Sequence, residues 1–408
     1  MEIEKVLEKA LKLVKPSEKN ERKLQRKVEK FLAKLDTKLV GCVALPGGSF
    51  AKGTWIKDIH DIDIFVMFPK KLTSRNISDL LEKMIRKAFF FVKRIPASRD
   101  YFQVKKYGYL FEIVPVLKIS TPQEAGNIMD VSPLHVKFVC EAIQKNPKLQ
   151  DEIRLAKAFC KAANCYGAES YIRGFSGYVL ELLTIKYGGF LNLVKAASKW
   201  RELSVITFNK KRDVLKFLNP SKISPLIVID PIQPGRNAAA ALSKEKFLKF
   251  KEHCIKFLEN PSIEFFEKKI KIPEKSIVIE AKPIKARKDI AGCNLVRAFN
   301  FIKSKLKDLI VIDSGWYWPN KNALFWYKVV RRELPEFVVH IGPPLKEEYH
   351  VERFKEKWHD HEIFEKQGRI CVKIPRKYRT IKEYLKKEVF RGEFLKDKVR
   401  KLKIKKLL

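Results

Sequence analysis

The sequence predicts an α+β protein, with an α+β head, a helical middle domain and small α+β body and tail modules. Three observations carry this. Strand-like runs at 39–45 and 61–68 bracket a glycine-rich turn, a helical pattern takes over from about residue 133 to 200, and aromatic, β-rich segments return beyond residue 309. The expected divisions are 1–120 (head with N-terminal helices), 121–220 (helical neck), 221–285 (body) and 286–408 (tail with a C-terminal basic region), with the Pro-rich stretch 220–235 as one boundary.

Taken in order, Val6, Leu7, Leu11 and Leu13, then Leu24, Val28, Phe31 and Leu32, repeat at helical spacing. Pro16-Ser17 separates the two runs, and Ser17 is placed to cap the second helix. The strand 39–45 ends at Pro46-Gly47-Gly48-Ser49, and Asp61-Ile62-Asp63-Ile64 opens a second strand stopped by Pro69. Residues 78–92 read as a helix capped by Ser78, and 101–105 with 109–116 as a hairpin around Tyr107-Gly108. In the helical middle, 149–163 is one helix. Another is capped by Ser176 and closed by Gly188-Gly189. A helix near 243–258 and strands at 309–312 and 323–330 follow, with no internal repeat.

Composition narrows the function classes. The chain has 408 residues, room for two to four domains, and its 46% apolar content supports packed cores. Lys and Arg number 85 against 47 Asp and Glu, a net +38. That excess points to a polyanion bound through counterion release, although charge serving solubility alone is the plain alternative. No run reaches the roughly 18 apolar residues of a membrane span. The start MEIEKVLEKALKLV has no signal-peptide core, and the seven Cys contain no CxxC pair. These features predict a cytoplasmic, reducing compartment and no membrane partner. The basic end DKVRKLKIKKLL reads as a membrane-surface helix or, more simply, an RNA-facing or solvated tail.

Asp61 and Asp63 stand at i and i+2, so a strand puts both on one face while Ile62 and Ile64 point to a core. Oxygen-only ligands of this kind suit Mg²⁺ held together with substrate phosphates. Glu112 sits in a similar apolar strand, Leu110-Phe111-Glu112-Ile113-Val114. Three carboxylates on adjacent strands would hold two metals; a pair of solvent-facing acids is the structural alternative. The upstream turn 46–54 offers backbone N–H groups, the Ser49 hydroxyl and Lys52 to a phosphate. It is not a Walker A motif, because Thr54 stands where the Lys must be. His60 adjoins the acids but falls on the opposite strand face, and is not among the candidates.

Together GGSFAKGTW, HDIDIFVMF and FEIVPV resemble the nucleotidyltransferase palm shared with DNA polymerase β. Residues 157–181, KAFCKAANCYGAESYIRGFSGYVLE, resemble the segment after the palm in archaeal (class I) CCA-adding enzymes, and Asp230-Pro231 through Arg236-Asn237-Ala238-Ala239 resembles that family's DP…RNVA motif. The likeness covers most of 30–260 and continues weakly through Ile341-Gly342-Pro343-Pro344-Leu345. It implies a template-free polymerase that adds C, C and A to the 3′ end of tRNA from CTP and ATP with Mg²⁺. By position, Asp61, Asp63 and Glu112 would be catalytic metal ligands, and Ser49 and Lys52 would hold the triphosphate. His135, Lys157 and Tyr166 would contact the nucleotide's phosphates and sugar. Arg236 would read the base edge, a task that suits a rigid, permanently charged fork. A homodimer is consistent with the family.

The chain departs from the family pattern where Glu-x-Asp and a later Asp become Asp61-x-Asp63 and Glu112, and where Lys52 replaces Arg. RNA contacts are expected from Trp316-Tyr317-Trp318-Pro319-Asn320-Lys321, from 328–332 and from 400–406, with a small aromatic core as the alternative for the first. Competing readings are an adenylyl-only 3′-terminal RNA nucleotidyltransferase and a catalytically degenerate tRNA-binding protein.

Overall fold

The computed structural model describes all residues except 1, 58–60, 73–75, 209–215, 217, 269, 271, 320 and 408. His60 and Asn320 therefore lie outside the described residues. The chain divides into two compact units, Met1–Lys269 and Ile270–Leu408.

The first unit begins with α1 (Glu2–Val14) and α2 (Glu18–Asp36), and Ser17 caps α2 by accepting the Asn20 N–H. A five-stranded sheet follows, ordered β1-β2-β5-β4-β3: β1 (Val43–Pro46), β2 (Asp61–Phe68), β3 (Lys93–Ile95), β4 (Tyr101–Lys106) and β5 (Tyr109–Leu117). Between β1 and β2 the glycine turn opens a single helical turn, α3 (Gly48–Ala51). The expected strand 39–45 begins later, at Val43, because residues 39–42 form the exit from α2. The expected helix 78–92 is α4 (Ile77–Ala88), and its cap is Asn76, not Ser78. Asn76 Oδ1 accepts from the N–H of Ser78 and Asp79, whereas Ser78 is buried and donates to the Asp100 carbonyl. Asparagine, standing before the first helical residue, meets the orphan donors that Ser78 is already too far inside to reach.

The helical part holds α5 (Ser132–Lys145), α6 (Leu149–Ala162), α7 (Gly177–Tyr187) and α8 (Phe190–Ala197), then a two-stranded β6 (Ser204–Ile206) and β7 (Leu226–Val228), then α9 (Lys244–Glu259). Ser176 caps α7 and Gly188, in the left-handed region at φ 73°, closes it. Two cores result. One packs α2 and α4 on the sheet through Phe31, Ile62, Ile64, Phe102 and Phe111. The other gathers α6 to α9 around Phe159, Phe190, Phe250 and Phe257.

The second unit carries a four-stranded sheet ordered β14-β8-β10-β9, formed by β8 (Ser276–Pro283), β9 (Val311–Tyr317), β10 (Ala323–Val329) and β14 (Val399–Lys406). Helix α10 (Lys288–Lys305) covers it, with Leu295, Ile302, Phe325 and Tyr327 at the centre. A three-stranded sheet, β11 (Phe337–Pro344), β13 (Arg369–Pro375) and β12 (Glu362–Lys366), packs on α11 (Glu348–Lys357) through Val351, Phe354 and Val372. The basic C-terminal run is neither helix nor loose tail. As β14 it pairs with β8, and Leu402 and Ile404 lean on the core while the lysines between face out. Trp316 and Trp318 likewise pack against this core.

Candidate active site

On β2 the residues alternate as expected: Ile62 and Ile64 are fully buried, and Asp61 and Asp63 lie on the other face. The parallel ladder sets Asp61 opposite Leu110 and Asp63 opposite Glu112, so all three carboxylates share one sheet face. Gln103 on β4, opposite Glu112 in turn, donates from Nε2 to Glu112 Oε1 at 2.7 Å. Among the described residues no three His, Cys, Asp or Glu side chains close into a ready-made metal cage. The donor set nevertheless fits a hard cation, being made of oxygens with room for substrate oxygens to complete the shell. Burial, opposed by the Lys52 ammonium and reinforced by Asp61, holds the Asp63 carboxyl above the usual carboxylate range. A bound cation would relieve that penalty.

The glycine turn is fitted to this acid. The Gly47 N–H donates to the Asp63 carbonyl at 2.8 Å. Gly48 stands at φ +54°, and a β-carbon there would lie 1.7 Å from Asp63 Oδ2. A side chain there would collide with the carboxylate, so glycine lets the backbone approach it closely. Beside them is a cleft of about 350 Å³, lined by Ser49, Thr54, Asp61, Asp63, Lys157, Lys161 and Tyr166 among others.

Beneath the cleft is a buried ionic cluster. Glu181 Oε2 accepts from Lys52 Nζ at 2.6 Å, and Glu181 Oε1 accepts from Lys157 Nζ at 2.7 Å and from Thr54 Oγ1 at 2.9 Å. Lys157 Nζ also donates to Thr54 Oγ1 at 2.9 Å. One carboxylate thus ties the glycine-turn segment to α6 and α7. Burial would raise the Glu181 pKa, but Lys157 and Lys52 overcome it and bring it to about 2. Burial lowers Lys157 to about 8, with Glu181 resisting and Lys52 adding to the fall. Tyr166 lies against this cluster with Lys161 Nζ 5.1 Å from its ring centroid, and burial raises its phenol. At the start of α7, Gly177 leaves that space open: a β-carbon would come within 3.0 Å of the Tyr166 hydroxyl.

His135 and Arg236 belong to a second cluster, around the buried Asp230. Arg236 NH1 donates to Asp230 Oδ2 at 2.7 Å, His135 Nε2 lies 3.1 Å from the same oxygen, and Tyr178 OH donates to Oδ1 at 3.2 Å. Burial pushes Asp230 up, yet His135, the Ile232 N–H and Arg236 hold it below the usual range. Arg236 lines a second cavity of about 720 Å³, together with Ser176, Gln233 and Asn237. Ser176 lines this cavity, and the next residue, Gly177, abuts Tyr166 and Lys157 of the first.

The structure therefore brings Ser49, Asp61, Asp63, Lys157 and Tyr166 to one cleft, sets Lys52 behind it and Glu112 one strand away, places Arg236 at the second cavity, and sets His135 beside Arg236 on Asp230. The sequence reading missed Glu181, Thr54, Tyr178 and the pivot role of Asp230. Glu181 did leave a signal, as the lone acid in the apolar run 178–185. A charge so placed needs a partner.

Three family descriptions match consecutive parts of the chain: "Nucleotidyltransferase domain" at 25–135, "tRNA nucleotidyltransferase, second domain" at 151–267, and "CCA-adding enzyme, C-terminal domain" at 277–404. The CCA-adding enzyme of Pyrobaculum islandicum is 34% identical, over 96% of this chain and 95% of its own. That of Methanocaldococcus jannaschii is 31% identical, over 94% and 90%, and that of Methanosarcina barkeri 31%, over 83% and 78%. Among solved structures, the Cid1 poly(U) polymerase aligns with a TM-score of 0.53 at 13% identity, over 65% of this chain and 98% of its own. A cytoplasmic RNA terminal U-transferase aligns at 0.51 and 13%, over 66% and 99%. At such identities the likeness is one of fold, that of the polymerase β-like nucleotidyltransferases.

Proposed function

This chain belongs to the family of archaeal CCA-adding enzymes, tRNA nucleotidyltransferases, and from that premise we propose how its own residues add C, C and A to the 3′ end of tRNA from CTP and ATP. The observation that carries the reading is Asp63 standing opposite Glu112 on parallel strands, with the Gly48 backbone against its carboxylate.

Asp61 and Asp63, with Glu112 from the neighbouring strand, would hold divalent ions, Mg²⁺ by their hard oxygen donors, which when bound would polarise the transferred phosphate and the attacking 3′-hydroxyl. Phosphoryl transfer asks little covalent chemistry of the protein, so the remaining residues act by position and charge. Ser49 and the N–H groups of the glycine turn receive the triphosphate. Lys157 and Lys161 bring cationic charge to the cleft wall, and Lys52 adds positive potential through the Glu181 cluster. Tyr166 and His135 orient the nucleotide, and Arg236, braced by Asp230, meets the base edge. The precedent for His135 and Arg236 is the family pattern; their support here is the shared pivot Asp230. No observation favours an adenylyl-only enzyme or a degenerate palm.

The same reading extends to a homodimer and a cytoplasmic setting. Among the described residues no helix is long and apolar enough to cross a membrane, and all seven cysteines are unbridged.

The test is incubation of the protein with tRNA lacking its 3′ CCA, Mg²⁺ and labelled CTP or ATP. Two C additions and then one A are expected. Asp63→Ala should abolish both incorporations and leave the tRNA dissociation constant within about twofold, since the acid acts on the transition state rather than on RNA binding. Addition of A alone, or equal loss of tRNA binding in Asp63→Ala, would overturn the reading.

A further inference from the structure

The sheet face that carries the three acids continues past them. Asp63 is level with Glu112, Glu112 with Gln103, and Gln103 with Lys93, in one row across β2, β5, β4 and β3. Asp61, Leu110 and Lys105 make the next row. Residues level with one another across a sheet point to one face, so Lys93 and Lys105 stand on the acids' side. Their neighbours turn the other way: Val104 is buried in the core under α2 and α4, and Arg94 reaches Asp79 and Glu82 of α4. Both lysines are exposed, and neither has an acid partner among the described residues. Just before Lys93, Phe90 and Phe91 are 89% and 82% exposed, their rings edge to face with centroids 4.8 Å apart. The antiparallel pairing of 93 with 103 and 95 with 101 carries this end of the chain toward Lys105. Two bare phenyl rings side by side form an apolar patch of the kind that marks an interaction surface.

We propose that Lys93, Lys105 and the Phe90–Phe91 pair form the track that receives the unpaired 3′-terminal nucleotides of the tRNA being extended. This rests on the CCA-adding reading above and adds the path of the RNA strand. The glycine turn lies between β1 and β2, so a triphosphate held there directs its leaving pyrophosphate to that side of the acids. In-line displacement then brings the attacking 3′-hydroxyl from the opposite side, over β5. The strand behind that hydroxyl lies over β4 and β3, where two cations without acid partners meet its phosphates. Extension without a template leaves the terminal bases without complements, and exposed aromatic rings stack on such bases whatever their sequence. The row from Asp63 to Lys93 crosses three strand spacings, roughly 14 Å. That is about four nucleotides at the stacked rise of a single strand. A platform indifferent to sequence suits an RNA end that changes with every addition.

The test uses the full-length protein and tRNA lacking its 3′ CCA. In the double variant Lys93→Ala/Lys105→Ala, KM for tRNA should rise about tenfold while KM for CTP stays within about twofold. The slope of log affinity against log salt should become shallower by about 1.4, the share of two single-strand phosphates. In Phe90→Leu/Phe91→Leu, which keeps apolar bulk without rings, KM for tRNA should rise about fivefold or more with the salt slope unchanged. Phe90→Tyr/Phe91→Tyr should behave as the wild type. A 2-aminopurine in the last nucleotide before the missing CCA should lose fluorescence on binding the wild type and keep it with the Leu pair, because only stacking quenches it. All four side chains are exposed, so the urea midpoints should match the wild type. An unchanged KM for tRNA with an unchanged salt slope in the lysine pair, or full quenching by the Leu pair, would overturn the proposal. So would a rise in KM for CTP equal to that for tRNA, which would assign the surface to the nucleotide. If the wild type adds C, C and A and these variants match it, only the track fails; if the wild type adds neither C nor A, the CCA-adding reading fails first.

Discussion

Glu181 is the carboxylate shared by two ammonium groups, those of Lys52 and Lys157, all three at most 8% exposed. Glu181→Gln preserves shape and a hydrogen-bonding oxygen but strands two buried cations. We expect a loss of about 3–5 kcal/mol, the cost of breaking a buried ion pair from one side. The measurement is the urea midpoint of the variant against the wild type; a change under about 1 kcal/mol would mean the two ammonium groups find water instead. At this scale the site was legible where chemistry repeats along the chain and hidden where it reaches across it. Asp61 and Asp63 are two residues apart, and their alternation with Ile62 and Ile64 is visible in the sequence. Glu181 meets Lys52 across 129 positions, and Asp230 meets Tyr178 across 52. No local pattern records such contacts.

Elements with their own turn chemistry were likewise readable. The hairpin of β4 and β5 turns at Tyr107-Gly108, both with positive φ, and the caps Ser17 and Ser176 stand where the sequence places them. The cap of α4 was misassigned because Asn76 and Ser78 are both good capping residues, and only the burial of Ser78 separates them. β14 was misread because an edge strand with one wet face shows few apolar positions, here Val399, Leu402 and Ile404 among lysines. Helix α9 carries a pH dependence of its own. His253 packs on Phe159 and Phe265 with Nε2 3.2 Å from the Phe265 carbonyl, and burial, aided by Lys249 and Lys256 and opposed by that carbonyl and Glu252, lowers its pKa from 6.5 to about 4. The unfolded chain therefore binds this proton first as pH falls. The stability held by neutral His253 is complete above about pH 6.5 and disappears between there and pH 4, up to about 3 kcal/mol. Urea unfolding at pH 7 and pH 4.5 checks the sign: His253→Gln should flatten the pH slope, and an unchanged slope would assign the acid sensitivity to other groups.

For the whole molecule the decisive quantity is charge. A net +38 predicts that tRNA affinity falls by about a thousandfold or more between 50 and 200 mM salt, with a log–log slope set by the number of phosphates neutralised. Filter binding across that range measures it; a slope near zero would confine recognition to the uncharged parts of the RNA. The chain also has an order of manufacture. β8 lies between β10 and β14, and its Pro283 pairs with Val399. During synthesis β10 can join β8 early, but the other edge of β8, with the apolar Ile277, Ile279 and Ala281, stays open until the last strand emerges. A single nick or premature stop before residue 399 would thus do more than shorten the protein. It would leave a sticky strand edge on offer to any other chain, so damage at the far end should show itself as clumping before it shows as lost catalysis.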